Sequence, residues 1–282
     1  MADTLLTLSA PAKLNLFLHI TGRRADGYHL LQTLFVFLDF VDTITLQLRE
    51  DGKITRPLGA ANVPEDKDLT VRAAQLLQQV TGCKLGAEIH VTKRIPMGGG
   101  LGGGSSDAAT VLQGLNRLWH CGLDDAQLAA LGLRLGADVP VFVHGRAAWA
   151  EGIGEQLTPV ALPPQWYVVI HPNVHVPTAE LFVAPDLTRN CTPITLAAFQ
   201  AGQGTNVFQP VVERRYPTVA QAVRWLSEYA PARLTGSGSC LFASVSDEPA
   251  GLAIIEKLPA AWFGFVAKGV SISPLRQQLA AM

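Results

Sequence analysis

Charged side chains are scarce in this sequence. Asp, Glu, Lys and Arg make up 16% of its 282 residues, with 22 basic and 23 acidic side chains. The resulting net charge of −1 argues against nucleic-acid binding by bulk electrostatic attraction. In contrast, 48% of the residues are hydrophobic and the mean hydropathy is +0.23, which supplies a sizeable core and excludes a disordered chain.

Cysteines are few and widely separated. Cys83, Cys121, Cys191 and Cys240 include no C-x-x-C pair, so we expect reduced thiols without a disulfide framework or a zinc site. No apolar run is long enough to span a bilayer, and residues 1–5 lack the basic and apolar regions of a secretion signal. The sequence therefore predicts a cytoplasmic globular protein, an enzyme with a small-molecule partner and no membrane or nucleic-acid partner.

Strand and helix patterns are mixed, without internal repeats or a regular βαβ alternation. Residues 12–20 alternate strictly, which predicts a half-buried strand with Lys13, Asn15 and His19 on its polar face. Prolines at 159, 163 and 164 favour a boundary there, so we predict two α+β lobes, residues 1–160 and 161–282. Further strands are predicted at 34–40, 43–48, 87–91, 141–150, 166–170, 241–245 and 263–270, and helices at 66–81, 105–122, 124–136, 205–215, 218–229 and 248–258.

Six of the seven residues in the glycine loop, residues 98–104, are glycine. Ordering glycine is entropically costly, so such a run indicates a close approach of the backbone to a ligand. The loop lies between a predicted strand and a predicted helix N-terminus, with Ser105 or Ser106 as the expected N-cap, and its N–H groups could face a phosphate. A flexible hinge is the alternative, although a hinge would not require the amphipathic helix that follows.

Common phosphate-binding motifs fit this loop poorly. A Walker A motif fails because Gly104 stands where lysine is required. Gly98, Gly100 and Gly103 match G-x-G-x-x-G, but almost any glycine run does, and the acid expected about 20 residues later would be Asp124, which opens a predicted helix. The nucleophile elbow G-x-S-x-G is absent.

Three motifs in order resemble the GHMP kinase superfamily, which includes galactokinases, homoserine kinases and mevalonate kinases. They are Pro11-Ala12-Lys13-Leu14-Asn15-Leu16 followed by Gly27-Tyr28-His29, then Pro96 to Ala109, and finally Leu234-Thr235-Gly236-Ser237-Gly238-Ser239. Leu135 to Phe142 and Ala267 to Val270 bring the resemblance closest to members that act on a cytidine diphosphate derivative.

The resemblance implies a two-lobe α+β GHMP kinase fold with the active site in the cleft between the lobes. It implies that ATP phosphorylates the tertiary 2-hydroxyl of 4-diphosphocytidyl-2-C-methyl-D-erythritol in the non-mevalonate route to isoprenoid precursors, giving the 2-phosphate and ADP. Mg²⁺ is expected to bridge the β- and γ-phosphates, held mostly by phosphate oxygens and water with the Ser105 or Ser106 hydroxyl, and without a dedicated protein cage. A monomer or a homodimer is expected.

The resemblance also implies the catalytic pair. Asp138 would accept the proton of the substrate hydroxyl or orient it, whereas by itself the sequence suggests a turn-forming Asp at a helix C-terminus. Lys13 would lie beside Asp138, whereas the strand pattern alone suggests a solvent-facing lysine. Because a neighbouring cation makes a carboxylate a poorer base, positioning and charge compensation would dominate.

The implied binding residues form two groups. Those for ATP are Lys93, Pro96, Met97, Gly98, Gly99, Gly100, Leu101, Gly102, Gly103, Gly104, Ser105 and Ser106. Those for the substrate are Asn15, Tyr28, His29, Thr178, Phe182, Gly236, Ser237 and Gly238. Tyr28 and Phe182 would stack on cytosine, His29 would hydrogen-bond its polar edge, and Asn15 would contact the erythritol or the pyrophosphate.

Two features limit these assignments. Asp68 precedes Leu69 where the family usually has Asn, so no adenine contact is assigned to it. Residues 235–239 resemble an anion-binding nest, but a tight hairpin turn is the alternative. His171 and His175 are four residues apart in a predicted strand context with Pro172, which disfavours a metal pair.

Three other functions stay open. Another GHMP small-molecule kinase is disfavoured by Gly27-Tyr28-His29 and by residues 135–140. A non-catalytic nucleotide-binding protein of the same fold is disfavoured by the presence of Asp138 and Lys13. An NAD-dependent oxidoreductase would depend on glycine spacing alone.

Overall fold

The structure is a computed structural model that describes residues 4–58 and 63–282, so residues 1–3 of the segment tested for a secretion signal lie outside the described residues. In chain order the described strands are β1 (Leu5–Arg23), β2 (His29–Arg49), β3 (Ile54–Leu58), β4 (Gly86–Thr92), β5 (Ala148–Glu151), β6 (Gln156–Pro159), β7 (Gln165–His171), β8 (Arg233–Leu234), β9 (Leu241–Val245) and β10 (Phe263–Val270). The helices are α1 (Leu69–Thr81), α2 (Gly103–Leu118), α3 (Asp125–Leu133), α4 (Val139–His144), α5 (Thr178–Phe182), α6 (Leu196–Gln200), α7 (Gln209–Arg215), α8 (Pro217–Ser227), α9 (Glu248–Ile255) and α10 (Pro274–Ala280).

All these strands belong to one sheet. Its main path runs β3-β4-β2-β10-β7-β9-β8, while β1 pairs with β2, and β5 pairs with β2 and β6. The strand β10 joins the two halves of the chain, because it pairs with β7 along its length and with β2 at Gly269 and Val270. The boundary predicted at residue 160 falls between β6 and β7, and it stays a prediction because the sheet continues through it.

Buried side chains form three apolar clusters. The first packs α1 and α2 against β1, β2 and β4, and the second packs α7 and α8 against β7 and β9. The third joins them, with Leu14, Phe17 and Leu38 from the first half packed with Val169 and Phe265 from the second. Each large apolar side chain buried here contributes about 1.5–3 kcal/mol to stability. The two halves are therefore fixed relative to each other by a shared core.

Most predicted elements are confirmed, with three exceptions. The strand predicted at 12–20 lies within β1, but it is buried on both faces and not half-buried, because Lys13, Asn15 and His19 are buried as well. The strands predicted at 34–40 and 43–48 are one strand, β2. The strand predicted at 141–150 is wrong, because Val139–His144 form helix α4 and only Ala148–Glu151 form a strand. Val141, Phe142 and Val143 are all buried, so their hydrophobicity has no period that could distinguish a helix from a strand.

Candidate active site

One cavity of about 1270 Å³ collects the predicted site residues from both halves of the chain. Every residue predicted for catalysis, ATP binding or substrate binding lines it except Ser106. Ser106 is fully buried within α2, and its hydroxyl has no hydrogen-bond partner. Ser105 is therefore the serine of this pair that a ligand in the cavity could reach.

The glycine loop is fixed in place between the two halves. Cys240 N donates to the Gly99 carbonyl at 3.0 Å, and Lys13 N donates to the Leu101 carbonyl at 3.0 Å. Gly100 has a φ of 76°, and a Cβ there would lie 2.2 Å from the Thr235 carbonyl oxygen. Glycine at this position is thus required by packing inside the protein as well as by any ligand, and the hinge interpretation is disfavoured.

Helix α2 begins without a side-chain cap. Its N-cap is Gly102, with a left-handed φ of 73°, so the prediction of Ser105 or Ser106 as N-cap is wrong. The left-handed glycine starts the helix earlier than a serine cap would. Since the first N–H groups of a helix have no intrahelical acceptor, those at Gly103 and Gly104 are open to an anion at the positive end of the helix dipole.

Behind this helix start, Lys93 lies between two buried carboxylates. Its Nζ donates to Asp107 Oδ2 at 2.7 Å and to Asp42 Oδ2. Burial acts to lower the pKa of Lys93, but Asp107 and Asp42 outweigh it and raise that pKa above its ordinary value. Burial raises the pKa of the Asp107 carboxyl to about 7 against the opposing effect of Lys93, and Asp42 adds to the rise.

This cluster also anchors the entry to the glycine loop. Asp42 is fully buried, and its Oδ1 accepts hydrogen bonds from Arg94 N at 2.5 Å and Ile95 N at 2.8 Å. The ammonium of Lys93 lines the cavity, as expected of a nucleotide contact, but its charge is already compensated by Asp42 and Asp107. No pattern in the sequence singles out Asp42, because nothing local links it to residues 93–95.

Lys13 and Asp138 meet on the cavity wall. Lys13 Nζ lies 3.3 Å from Asp138 Oδ2, and it donates to Asn15 Oδ1 at 2.5 Å and to the Gly100 carbonyl at 3.0 Å. The Asn15 amide in turn donates to Thr33 Oγ1 at 3.0 Å. Lys13 is thus buried and held by several acceptors, and the alternative of a solvent-facing lysine on the strand is wrong.

Asp138 lies at the beginning of a helix and not at the end of one. It immediately precedes α4, and its side chain makes no capping hydrogen bond. A negative charge is favourable at this end of a helix, and the alternative of a turn-forming Asp at a helix C-terminus is wrong. The uncapped carboxylate leaves its second oxygen available to a group in the cavity.

The far end of the cavity is aromatic. His29 stacks on Phe182, with ring centroids 5.0 Å apart and an interplanar angle of 27°, and Phe182 contacts Phe208 edge-on. Tyr28 is 61% exposed, which leaves its ring face free for a ligand. Thr178 Oγ1 lies 2.6 Å from Ser237 Oγ, so residues 235–239 are tied to the start of α5.

Asp68 has a structural role in this chain. It is the N-cap of α1, where Oδ1 accepts from Thr70 N at 2.8 Å, and Oδ2 lies 3.2 Å from Arg56 Nε in a buried ion pair. The departure from the usual Asn is therefore compensated by a cation. Asp68 still lines the cavity, next to Leu69 and Thr70.

The described residues contain neither a cluster of metal ligands nor a membrane-spanning helix. Over residues 4–58 and 63–282, no three His, Cys, Asp or Glu side chains are close enough to hold a metal ion. Within the same ranges, no helix combines the length and the hydrophobicity needed to cross a membrane. Any divalent cation here would rely on ligand oxygens, together with single side chains such as Ser105.

Comparisons with known proteins show which family the chain is similar to. Residues 68–146 match the model of the GHMP kinases N terminal domain, and residues 179–264 match that of the GHMP kinases C terminal domain. The chain is 58% identical over 270 residues to a 4-diphosphocytidyl-2-C-methyl-D-erythritol kinase of Alkalilimnicola ehrlichii, which covers 96% of this chain and 93% of that protein. A kinase of the same name from Nitrosococcus oceani is 55% identical, over 96% of this chain and 97% of its own.

Solved structures show the same relationship. The crystal structure of a 4-(cytidine 5'-diphospho)-2C-methyl-D-erythritol kinase superposes with a TM-score of 0.80 at 34% identity, over 94% of this chain and 99% of that one. A mevalonate kinase superposes with a TM-score of 0.67 at 15% identity, over 94% and 99% of the two chains, which shows a shared fold alone.

Proposed function

Because the chain belongs to the GHMP kinases, we propose that its cavity transfers a phosphoryl group from ATP to the 2-hydroxyl of 4-diphosphocytidyl-2-C-methyl-D-erythritol. The products are the 2-phosphate and ADP, and the reaction is a step of non-mevalonate isoprenoid precursor synthesis. The observation that carries this proposal is the single cavity that joins an uncapped helix N-terminus, a Lys13–Asp138 pair and an aromatic end. Relatives of that name at 58% and 55% identity support it.

ATP binds with its phosphates at the start of α2. The N–H groups of the first helical turn, the helix dipole and the fixed glycine loop together favour a polyanion there. Residues 96–105 and Lys93 line this part of the cavity and form the nucleotide side. Ser106 contributes only to packing in this proposal, because its hydroxyl is buried away from the cavity.

Mg²⁺ fits this site as a partner of the nucleotide. The Ser105 hydroxyl lines the cavity beside the helix start and would be a ligand, with phosphate oxygens and water completing the shell. When bound, the ion neutralises charge on the β- and γ-phosphates. The residues of this chain bind, orient and compensate charge around it.

Asp138 and Lys13 act on the reacting groups. Asp138 orients the substrate hydroxyl and accepts its proton, and its partial exposure leaves an oxygen open to the cavity. Lys13, buried against Asn15 and Gly100, compensates charge on the transferring phosphoryl group. In the loose transition state typical of phosphoryl transfer, positioning and charge compensation supply most of the catalysis.

The aromatic end binds the cytidine. Tyr28 and Phe182 offer ring faces to cytosine, and His29 hydrogen-bonds its polar edge. Asn15, Thr178 and residues 236–238 line the same cavity and contact the pyrophosphate and the erythritol.

A coupled ADP-release assay tests the proposal. The full chain with Mg-ATP is offered 4-diphosphocytidyl-2-C-methyl-D-erythritol, homoserine or mevalonate in parallel. Turnover with the cytidyl substrate alone is the expected result. Turnover with homoserine or mevalonate alone would support a kinase but would contradict the proposed cytosine-binding site. ATP binding without turnover on any acceptor would contradict the proposed reaction.

A further inference from the structure

Arg189 lies outside every motif of the sequence, yet it organises the aromatic end of the cavity. Its guanidinium donates to three backbone carbonyls that follow or end α5. Nη2 donates to Phe182 O at 2.8 Å and Ala184 O at 2.7 Å, and Nη1 donates to Leu187 O at 3.1 Å. The segment of residues 182–189 is therefore folded around its own arginine.

The same guanidinium contacts the other half of the chain at His29. Arg189 Nε lies 3.3 Å from His29 Nε2, in donor geometry. Since a guanidinium only donates and stays charged, His29 Nε2 must accept, and the ring must be neutral with its hydrogen on Nδ1. One side chain thus fixes the tautomer of His29 and the backbone that carries Phe182, the ring on which His29 stacks.

The charges around His29 favour this neutral form. Burial lowers the pKa of His29, and Arg189 and then Arg23 lower it further. Arg23 ends β1, and Arg189 follows α5. In the turn between β1 and β2, the Asp26 carboxylate is paired with Arg24. Within the described residues, His29 has no carboxylate partner that would oppose this effect.

We propose that Arg189 is a positioning residue for the base-binding end of the cavity, which presents His29 as a neutral Nδ1–H donor beside a fixed Phe182. The inference rests on the proposed function, because it takes the ligand to be the cytidine of the substrate. A pyrimidine of the cytosine type offers ring acceptors at N3 and O2, which suit an N–H donor. Arg189 acts through His29 and Phe182 and does not line the cavity itself.

Steady-state kinetics of Arg189→Gln and Arg189→Lys in the full chain test this role. In Arg189→Gln, KM for the cytidyl substrate is expected to rise about tenfold to a hundredfold, since hydrogen bonds to a charged group are lost. The kcat and the KM for ATP should change by less than about threefold, because the loss affects binding in the ground and transition states equally.

The pH profile separates positioning from general destabilisation. In the wild-type chain, protonation of His29 at Nε2 breaks the contact with Arg189, so KM should rise as the solution is acidified. Arg189→Gln has no such contact to lose, its His29 pKa lies closer to 6.5, and the protonated ring always carries Nδ1–H, so its KM should not rise on acidification. Arg189→Lys keeps the positive charge but not the planar fork. In Arg189→Lys, KM should be raised at neutral pH and should still rise on acidification as it does in the wild-type chain.

Arg214→Gln is the matched control. Arg214 belongs to α7 and pairs with Asp186, which lies in the segment of residues 182–189. Its side chain is 55% exposed and contacts neither His29 nor the three carbonyls that Arg189 binds. Its kinetics should equal those of the wild-type chain. A wild-type KM with a wild-type dependence on pH in folded Arg189→Gln would overturn the proposal. If that variant does not fold, a wild-type KM in Arg189→Lys would overturn it.

A spectroscopic readout keeps this inference separate from the proposed function. Imidazole ¹⁵N shifts of ligand-free protein report which nitrogen of His29 carries the hydrogen. We expect Nδ1–H in the wild-type chain and a mixture in Arg189→Gln. Nε2–H in the wild-type chain would overturn the positioning role, whatever the acceptor. A wild-type chain inactive on the cytidyl substrate but with Nδ1–H would overturn only the function.

Discussion

Lys13 Nζ lies 3.3 Å from Asp138 Oδ2, and the two side chains differ sharply in exposure, at 3% and 37%. The cation is buried and held by Asn15 and Gly100, while the carboxylate reaches the cavity. The pair therefore places a fixed positive charge behind a group that faces the substrate. This arrangement suits the orientation of a hydroxyl for in-line attack and charge compensation of the transferred group.

Asp138→Asn should lower kcat by about 10²-fold to 10⁴-fold, the range for general acid–base groups, with ATP binding nearly intact. The amide keeps the shape of the side chain but cannot accept the proton. Single-turnover kinetics and ATP titration measure the two effects. The control is Asp125→Asn, an exposed acid that pairs with Arg276 away from the cavity. A loss of less than about threefold in kcat would end the base assignment.

Tyr28→Ala should raise KM for the cytidyl substrate about tenfold, since one base–aromatic stack is worth about 1–3 kcal/mol. The ring is mostly exposed in the ligand-free chain, so its removal should leave the unfolding free energy almost unchanged. Tyr28→Phe keeps the ring face and should bind like the wild-type chain. An unchanged KM in Tyr28→Ala would remove Tyr28 from the base site.

Gly100→Ala should destabilise the chain by about 2 kcal/mol or more, because strained φ and overlap add. Its Cβ would lie 2.2 Å from the Thr235 carbonyl oxygen. Gly122→Ala is the matched control, with a similar φ of 72° but no atom within 4 Å of its Cβ. Gly122→Ala should cost only about 1 kcal/mol.

Urea unfolding measures both glycine variants. Equal costs would mean that backbone strain alone accounts for Gly100. In that case the chain would accommodate the added Cβ beside the Thr235 carbonyl without a further cost in stability.

Asp107→Asn should stabilise the chain above neutral pH. Because burial raises the pKa of Asp107 to about 7 from 3.8, the native state binds more protons than the unfolded state between those values. The stability due to this carboxyl is therefore present below about pH 4 and lost as the pH rises to about 7. At pH 8 the variant should be more stable than the wild type by on the order of 1–3 kcal/mol, and the difference should shrink toward pH 5.

Urea titrations at pH 5, 6, 7 and 8 measure this difference. Asp51→Asn is the control, since Asp51 is exposed and the hydrogen bond from Arg49 lowers its pKa to about 2. That carboxyl adds no loss of stability between pH 5 and 8. The opposite result, a wild-type chain more stable than Asp107→Asn at pH 8, would contradict this prediction. It would show that the free energy of the ion pair with Lys93 exceeds the cost of burying the Asp107 carboxylate beside Asp42.

The sequence alone predicted the local elements and the type of site. The alternation of residues 12–20 predicted a strand there, although not the burial of its polar face. Asp124 predicted the start of α3, where it forms a capping box with Gln127. The glycine run predicted a phosphate-binding backbone before α2. These signals act over a few residues, through periodicity, helix caps and the backbone freedom of glycine. They can therefore be recognised in the sequence without knowledge of the tertiary structure.

Only the tertiary structure decided which distant groups meet. It paired Lys93 with Asp42 and Asp107, and it brought Arg189 to His29. It also placed Asp138 at the start of α4, where the hydrophobic run had predicted a strand. Such contacts depend on how β2 pairs with its neighbours and on how the two halves share a core. Partners so far apart along the chain leave no period or spacing in the sequence from which they could be read.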